Sequence, residues 1–157
     1  DALEQRFRIL PAGSSSNIPA FLALLGNKVK VTVLVDSGTE GQQRIQAAIT
    51  AGRLAAEKLV TVGEITGTKN ADIEDLFEPT EYLKLYNEAL GRNLDVAALP
   101  PGDRIIKRIE AVDGKFDHWD PAELLLRDQP NRVPTLSVTA LERFERLFKR
   151  INSTLSN

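Results

Sequence analysis

Two groups of carboxylates stand where a sheet protein would place reactive residues. The first is Asp36, at the end of the run Val31-Thr32-Val33-Leu34-Val35 and just ahead of Gly38 and Gly41. The second is the segment ADIEDLFEP (71–79), in which Asp72 and Glu74 are two residues apart and Asp75 is adjacent. In open α/β sheets, ligands collect beyond the carboxyl ends of the strands, so an acid at such an exit can hold a cation within reach of a substrate. Asp36 equally suits the start of a turn, where it would satisfy the amides that follow. The second group suits a helix start, whose dipole favours negative charge. Three acids directly after a strand exceed what a cap needs. If the strand before them lies beside the one that ends at Asp36, both groups share one end of a sheet, and their oxygens are the ligands that Mg²⁺ or Mn²⁺ prefers.

The elements that must position these acids can be read from periodicity and turn residues. Residues 6–10 alternate and then turn apolar before Pro11, as a short strand does. Ile18, Phe21, Leu22, Leu24 and Leu25 have helical spacing up to Gly26-Asn27, and residues 29–35 form the second expected strand. Thr39 and Gln42 match the capping-box spacing, and Ile45, Ala48 and Ile49 give an inward face until Gly52. Residues 59–62 read as a third strand, followed by a loop over 63–70. This β-α-β-α-β order implies right-handed crossovers and a mainly parallel sheet.

Beyond residue 78 the pattern is helical. Tyr82, Leu83, Tyr86, Ala89 and Leu90 share one face that ends at Gly91, and Pro100-Pro101-Gly102 breaks the chain before Ile105, Ile106 and Ile109. Asp120-Pro121 has the form of a cap with proline in the first turn. Over 140–152, Leu141, Phe144, Leu147, Phe148 and Ile151 form an apolar stripe opposite charged residues, a packing helix by its pattern. The expected fold is α/β: a small, mainly parallel sheet flanked by helices over 1–78, then a helical part over 79–157 packed on the same domain.

Composition limits the chemistry. The 157 residues, 42% hydrophobic and 27% charged, suit one ordinary globular domain. No cysteine is present, which excludes disulfides, thiolate nucleophiles and cysteine-type zinc sites. His118 is the sole histidine, so sites needing several are excluded, and its type is more often structural than catalytic. A net charge of −2 argues against general nucleic-acid affinity, though it leaves room for a local basic face. Neither an apolar span nor a signal-peptide order occurs, so a cytoplasmic location without a membrane partner is expected. With no methionine in it, the chain is expected to be an excised or processed piece of a longer protein.

The segments VTVLVDSGTEG (31–41), ADIEDLFEPTEYLKLYNEALG (71–91), GDRIIKRIE (102–110), FDHWDPAELLL (116–126) and LERFERLFKRIN (141–152) occur in an order that resembles the C-terminal Toprim nuclease region of OLD-family (overcoming lysogenization defect) ATP-dependent endonucleases. The resemblance covers nearly the whole chain. It implies a compact parallel-sheet unit that binds divalent metal, Mg²⁺ or Mn²⁺, for cleavage of DNA phosphodiesters. It matches Asp36 to the first acid of the family's DxD element, and Asp72 and Glu74 to its later metal-binding acids. Lys107 matches a lysine that stabilises charge in the transition state; the plain alternative is a surface lysine beside Ile105, Ile106 and Ile109. DNA, an upstream ATPase domain of the same chain, and a homodimer formed through the parent protein are the partners the resemblance implies.

The chain also departs from the family's pattern. Gly38 replaces the second acid of DxD, and Glu40 lies two residues further on. The family's glutamate on an earlier strand would precede Asp1, and Glu4 sits before the first expected strand rather than after one. No GxxxxGK[ST] phosphate loop occurs, so the ATPase part is absent from these residues. The isolated piece is therefore expected to be inactive. Two other readings of the residues stay open: a degenerate Toprim-like scaffold or partner-binding module, and a receiver-like or nucleotide-binding α/β domain. The last lacks a Gly-rich phosphate fingerprint after the first strand.

Overall fold

A computed structural model describes residues 2–25, 28–38 and 41–156. Two compact units divide the chain: Asp1–Ala71 together with Glu145–Asn157, and Asp72–Phe144.

The first unit is α/β. Helix α1 (Ile18–Leu25) precedes strand β1 (Val33–Val35), and helix α2 (Gly41–Thr50) leads to strand β2 (Leu59–Thr61). The strands pair in parallel, with Val33 opposite Leu59, Leu34 opposite Val60 and Val35 opposite Thr61. Val33 and Val35 point into the core while Leu34 faces outward, the period-two alternation of a strand. Ile18 and Leu22 from α1, and Ile45 and Ala48 from α2, meet those valines in one apolar cluster. Burying side chains of this size stabilises the fold by roughly 1.5 to 3 kcal/mol each.

The sheet is smaller than the sequence suggests. Residues 6–10 form no strand, and Ile9 and Leu10 are exposed. The N–H of Phe7 instead closes a local turn on the Glu4 carbonyl at 3.0 Å. Alternation marks a face, but a strand also needs a neighbour to bond its backbone. The second expected strand shrinks to 33–35 for the same reason, since only those residues find ladder partners. The stretch expected as a loop over 63–70 begins inside a short helix, α3 (Val62–Thr66), which starts directly from β2. The Thr61 hydroxyl accepts from the Glu64 N–H at 3.4 Å at its start, and Gly67 closes it with φ of +78°. The expected Thr39–Gln42 capping box falls partly on Thr39, outside the described residues.

Residues 145–157 complete this unit. Lys58 Nζ donates to the Thr154 carbonyl, and the Thr32 and Thr154 hydroxyls are bonded at 2.6 Å. The Arg150 guanidinium donates to the Glu57 and Leu59 carbonyls at 3.1 and 3.0 Å and to the Glu64 carboxylate at 2.7 Å. The C-terminal segment thereby ties down both ends of the turn that enters β2.

The second unit is helical: α4 (Pro79–Leu90), α5 (Ile105–Asp113), α6 (Trp119–Arg127), α7 (Gln129–Arg132) and the opening of α8 (Val138–Ser153). Pro79 occupies the first turn of α4, where its missing N–H costs nothing, and Gly91 ends the helix with φ of +61°. Tyr82, Leu83, Leu85 and Tyr86 pack with Ile105, Ile106 and Ile109 of α5 in the core. Helix α6 begins at Trp119 with His118 in the cap position, two residues earlier than the expected cap at Asp120, while Pro121 is buried in the first turn. Along α8 the apolar stripe is graded. Leu147 is buried and Phe144 packs edge-on against Phe77 at 5.1 Å, but Leu141 remains 41% exposed. Among the described residues, no helix is long and apolar enough to cross a membrane.

Candidate functional site

Asp36 lies half-buried where β1 ends. The residue after it, Ser37, is buried and holds two connections. Its N–H donates to the Ala71 carbonyl at 2.7 Å, and its hydroxyl accepts from the Gly63 N–H at 2.6 Å. The exit of β1 is thus bonded to the start of α3 and to Ala71, where the first segment of this unit ends. In the chain, Asp36 immediately precedes one member of the Ser37–Ala71 bridge and Asp72 immediately follows the other.

Gly38 has a structural reason for being glycine. Its φ is +73°, in the left-handed region, and a Cβ there would run into the Asn70 side chain. An aspartate at this position would meet both obstacles, so the loss of the second DxD acid and the local backbone belong together. Glu40, the alternative acid, lies outside the described residues.

The second unit begins with the other acids. Asp72 caps a 3₁₀ turn (Ile73–Leu76), and Asp75 completes a reciprocal capping box, its Oδ2 accepting from the Asp72 N–H at 2.7 Å. Asp75 Oδ1 accepts from the Ile105 N–H at 2.8 Å. The cap therefore uses two of the three acids. Burial raises the Asp75 carboxyl above its ordinary value, outweighing the two backbone hydrogen bonds that favour its ionised form. The Asp-x-x-Asp spacing is the signal that could have assigned Asp75 to this cap; its bond to Ile105, thirty residues on, has no sequence signature.

Asp72 and Glu74 are brought together on this one turn, each with a cationic or basic neighbour. Arg104 Nε stands 3.5 Å from Asp72 Oδ1, and His118 Nδ1 stands 3.6 Å from Glu74 Oε1. Both carboxylates are largely covered by protein. Sequence reasoning did not single out Arg104, and it read His118 as structural without a partner. Lys107 is on α5, the helix whose first N–H is held by Asp75. Its ammonium is exposed and 2.6 Å from Glu110 Oε2, and that hydrogen bond holds the Glu110 carboxyl below its usual range. Asp36 belongs to the first unit, and Asp72, Glu74 and Lys107 to the second.

Among the described residues, no three His, Asp or Glu side chains form a cluster able to hold a metal on their own. Mg²⁺ commonly keeps several waters and takes only one or two protein carboxylates. The acids among the described residues therefore do not make a closed cation site on their own. Tyr82 is 3% exposed, and its hydroxyl has no hydrogen-bond partner among the described residues.

Neither a family model, a curated protein nor a solved structure matches this chain.

Proposed function

We propose that this chain is the Toprim portion of an OLD-type endonuclease and contributes carboxylates to a divalent-metal site for cleavage of DNA phosphodiesters. The observation that carries the reading is the hydrogen bond from Ser37 to Ala71, which joins the backbone just after Asp36 to the backbone just before Asp72. A strand exit bearing one acid and a turn bearing two is the sequence of parts that such a site needs. Bound Mg²⁺ or Mn²⁺ would supply Lewis acidity at the phosphate and an activated water.

The chain's own residues have distinct tasks in this reading. Asp36, Asp72 and Glu74 give anionic oxygen. Asp75 holds the acidic turn against the first residue of α5, and α5 carries Lys107 two positions later. A lysine so placed can turn from Glu110 to a phosphate oxygen and offset the negative charge that develops there. By itself the chain is expected to bind metal weakly and to cleave little, since Gly38 withholds one acid and the phosphate-loop ATPase is not among these residues. Full activity belongs to a parent protein in which an ATPase domain precedes this region and DNA is the substrate.

The second reading is a Toprim-like scaffold or partner-binding module without catalysis. The left-handed Gly38 against Asn70 favours it, because an acid cannot be accommodated there without rebuilding the loop. Mn²⁺ titration separates the two. The nuclease reading expects a saturable site weakened by Asp36→Asn and by Glu74→Gln; the scaffold reading expects none.

A further inference from the structure

We infer that the outer face of α6 is a self-association surface, on which a second copy of this chain packs its own α6 antiparallel about a two-fold axis. The inference is independent of the nuclease reading and rests on the second unit alone.

Helix α6 carries apolar residues on two sides. Pro121 and Leu124 are buried on its inner side. On its outer side Trp119, Ala122 and Leu126 follow at i, i+3 and i+7, a single stripe of a helix. Trp119 is 60% exposed and Leu126 63%, and Ala122 between them is exposed as well. One exposed apolar residue needs no explanation, but a tryptophan and a leucine aligned on one stripe mark a contact surface.

The charges beside the stripe indicate what covers it. Asp120, Glu123 and Arg127 repeat the same spacing one residue further on, so they form an adjoining row with acids toward the start of the helix and a base at its end. None of these three side chains has an ion-pair partner among the described residues. Arg127 feels the charge of Glu88, but Arg132 already holds that carboxylate through hydrogen bonds of 2.9 and 2.5 Å.

A two-fold axis uses the same patch on both copies, so every contact is made twice. With the helices antiparallel, stripe lies on stripe, and Trp119 of each copy covers Leu126 of the other. The small Ala122 falls at the crossing point, where it lets the backbones approach. The charged rows then run side by side, which brings Arg127 of each copy to Asp120 and Glu123 of the other. Charges flanking an apolar seam set the orientation of the helices in this way. A parallel pairing would place each row against the opposite flank of the other copy and leave it unpaired. A helix of 9 residues buries less than the roughly 1,200 Å² of stable complexes, so the association is weak and depends on concentration.

The test uses the whole chain. Sedimentation equilibrium from micromolar to millimolar concentration should show monomer passing into dimer. Fluorescence of Trp119, the sole tryptophan, should shift to the blue over the same range. Leu126→Glu puts a charge into the stripe and should abolish both changes, while its thermal midpoint at low concentration stays that of the parent because Leu126 is exposed. Asp120→Arg and Arg127→Asp should each associate about tenfold more weakly than the parent, since like charges then meet twice. An equal mixture of those two variants should recover the parent's association. A parent chain that stays monomeric at millimolar concentration overturns the inference, as does a dimer that survives Leu126→Glu. A blue shift produced by anionic vesicles and not by concentration overturns it in favour of a lipid surface. A mixture that associates no better than its components overturns the antiparallel arrangement.

Discussion

The N–H of Gly63 donates to the Ser37 hydroxyl at 2.6 Å, so the first residue pair of α3 is anchored to the residue that follows Asp36. The approach is too close for any side chain at position 63. A Cβ there would lie 2.5 Å from both Ser37 Oγ and the Thr68 carbonyl oxygen. Gly63→Ala should therefore destabilise the chain by about 1 to 3 kcal/mol, the usual cost of overpacking. Ser37→Ala in the same chain should restore only part of this, because the Thr68 carbonyl remains. Chemical denaturation of the single and double variants measures both.

At Gly38 the expectation concerns a repair that should fail. Gly38→Asp restores the DxD spelling but forces an aspartate to φ of +73° and against Asn70. It should cost about 1 kcal/mol or more and leave Mn²⁺ affinity unimproved. Adding Asn70→Ala removes the collision but not the backbone strain, so recovery of stability should be incomplete.

Asp75 is predicted to be structural. Asp75→Ala leaves the N–H groups of Asp72 and Ile105 without their acceptor and should cost about 3 kcal/mol, since hydrogen bonds to charged groups are the stronger kind. The pH dependence has a definite sign. Burial raises the folded-state value above 3.8, so just above 3.8 the folded protein retains a proton that the unfolded chain has released. Stability from this residue therefore falls as pH rises through that window and is level above the raised folded value. Asp75→Asn should flatten that slope while keeping one acceptor oxygen. An unchanged slope in denaturation midpoints across the window would count against burial as the cause.

How far the sequence reveals these features depends on the distance over which each is determined. The β1 exit at Asp36, the acids after β2 and the buried face of α4 follow from runs of a few residues, and the structure has them. The strand expected at 6–10 does not form because alternation says nothing about whether a neighbour is present to bond the backbone. A single-turn helix such as α3 is too short for its period to show. The Asp75–Ile105 and Glu74–His118 relationships join residues far apart in the chain. Tyr82 was legible as an apolar-face residue, but whether its hydroxyl is satisfied depends on everything packed around it.

Lys107 offers a separation between binding and chemistry. Its ammonium is exposed, and surface pairs of this kind contribute about 0 to 1 kcal/mol. Lys107→Ala should leave the thermal midpoint and Mn²⁺ affinity close to those of the parent chain. If, as proposed, an ATPase region precedes this chain in a nuclease, Lys107→Ala in that longer protein should slow plasmid cleavage at saturating Mn²⁺. Equal cleavage rates would return Lys107 to the surface role that its pairing with Glu110 also allows.

The central proposal is that carboxylates of this chain contribute to divalent-metal binding, and calorimetric titration of Mn²⁺ into three forms of the chain tests it most directly. The parent chain should show weak saturable binding, and Asp36→Asn and Glu74→Gln should each weaken it further while their thermal midpoints stay near that of the parent. Binding that survives in both variants with the parent's affinity would contradict the proposal.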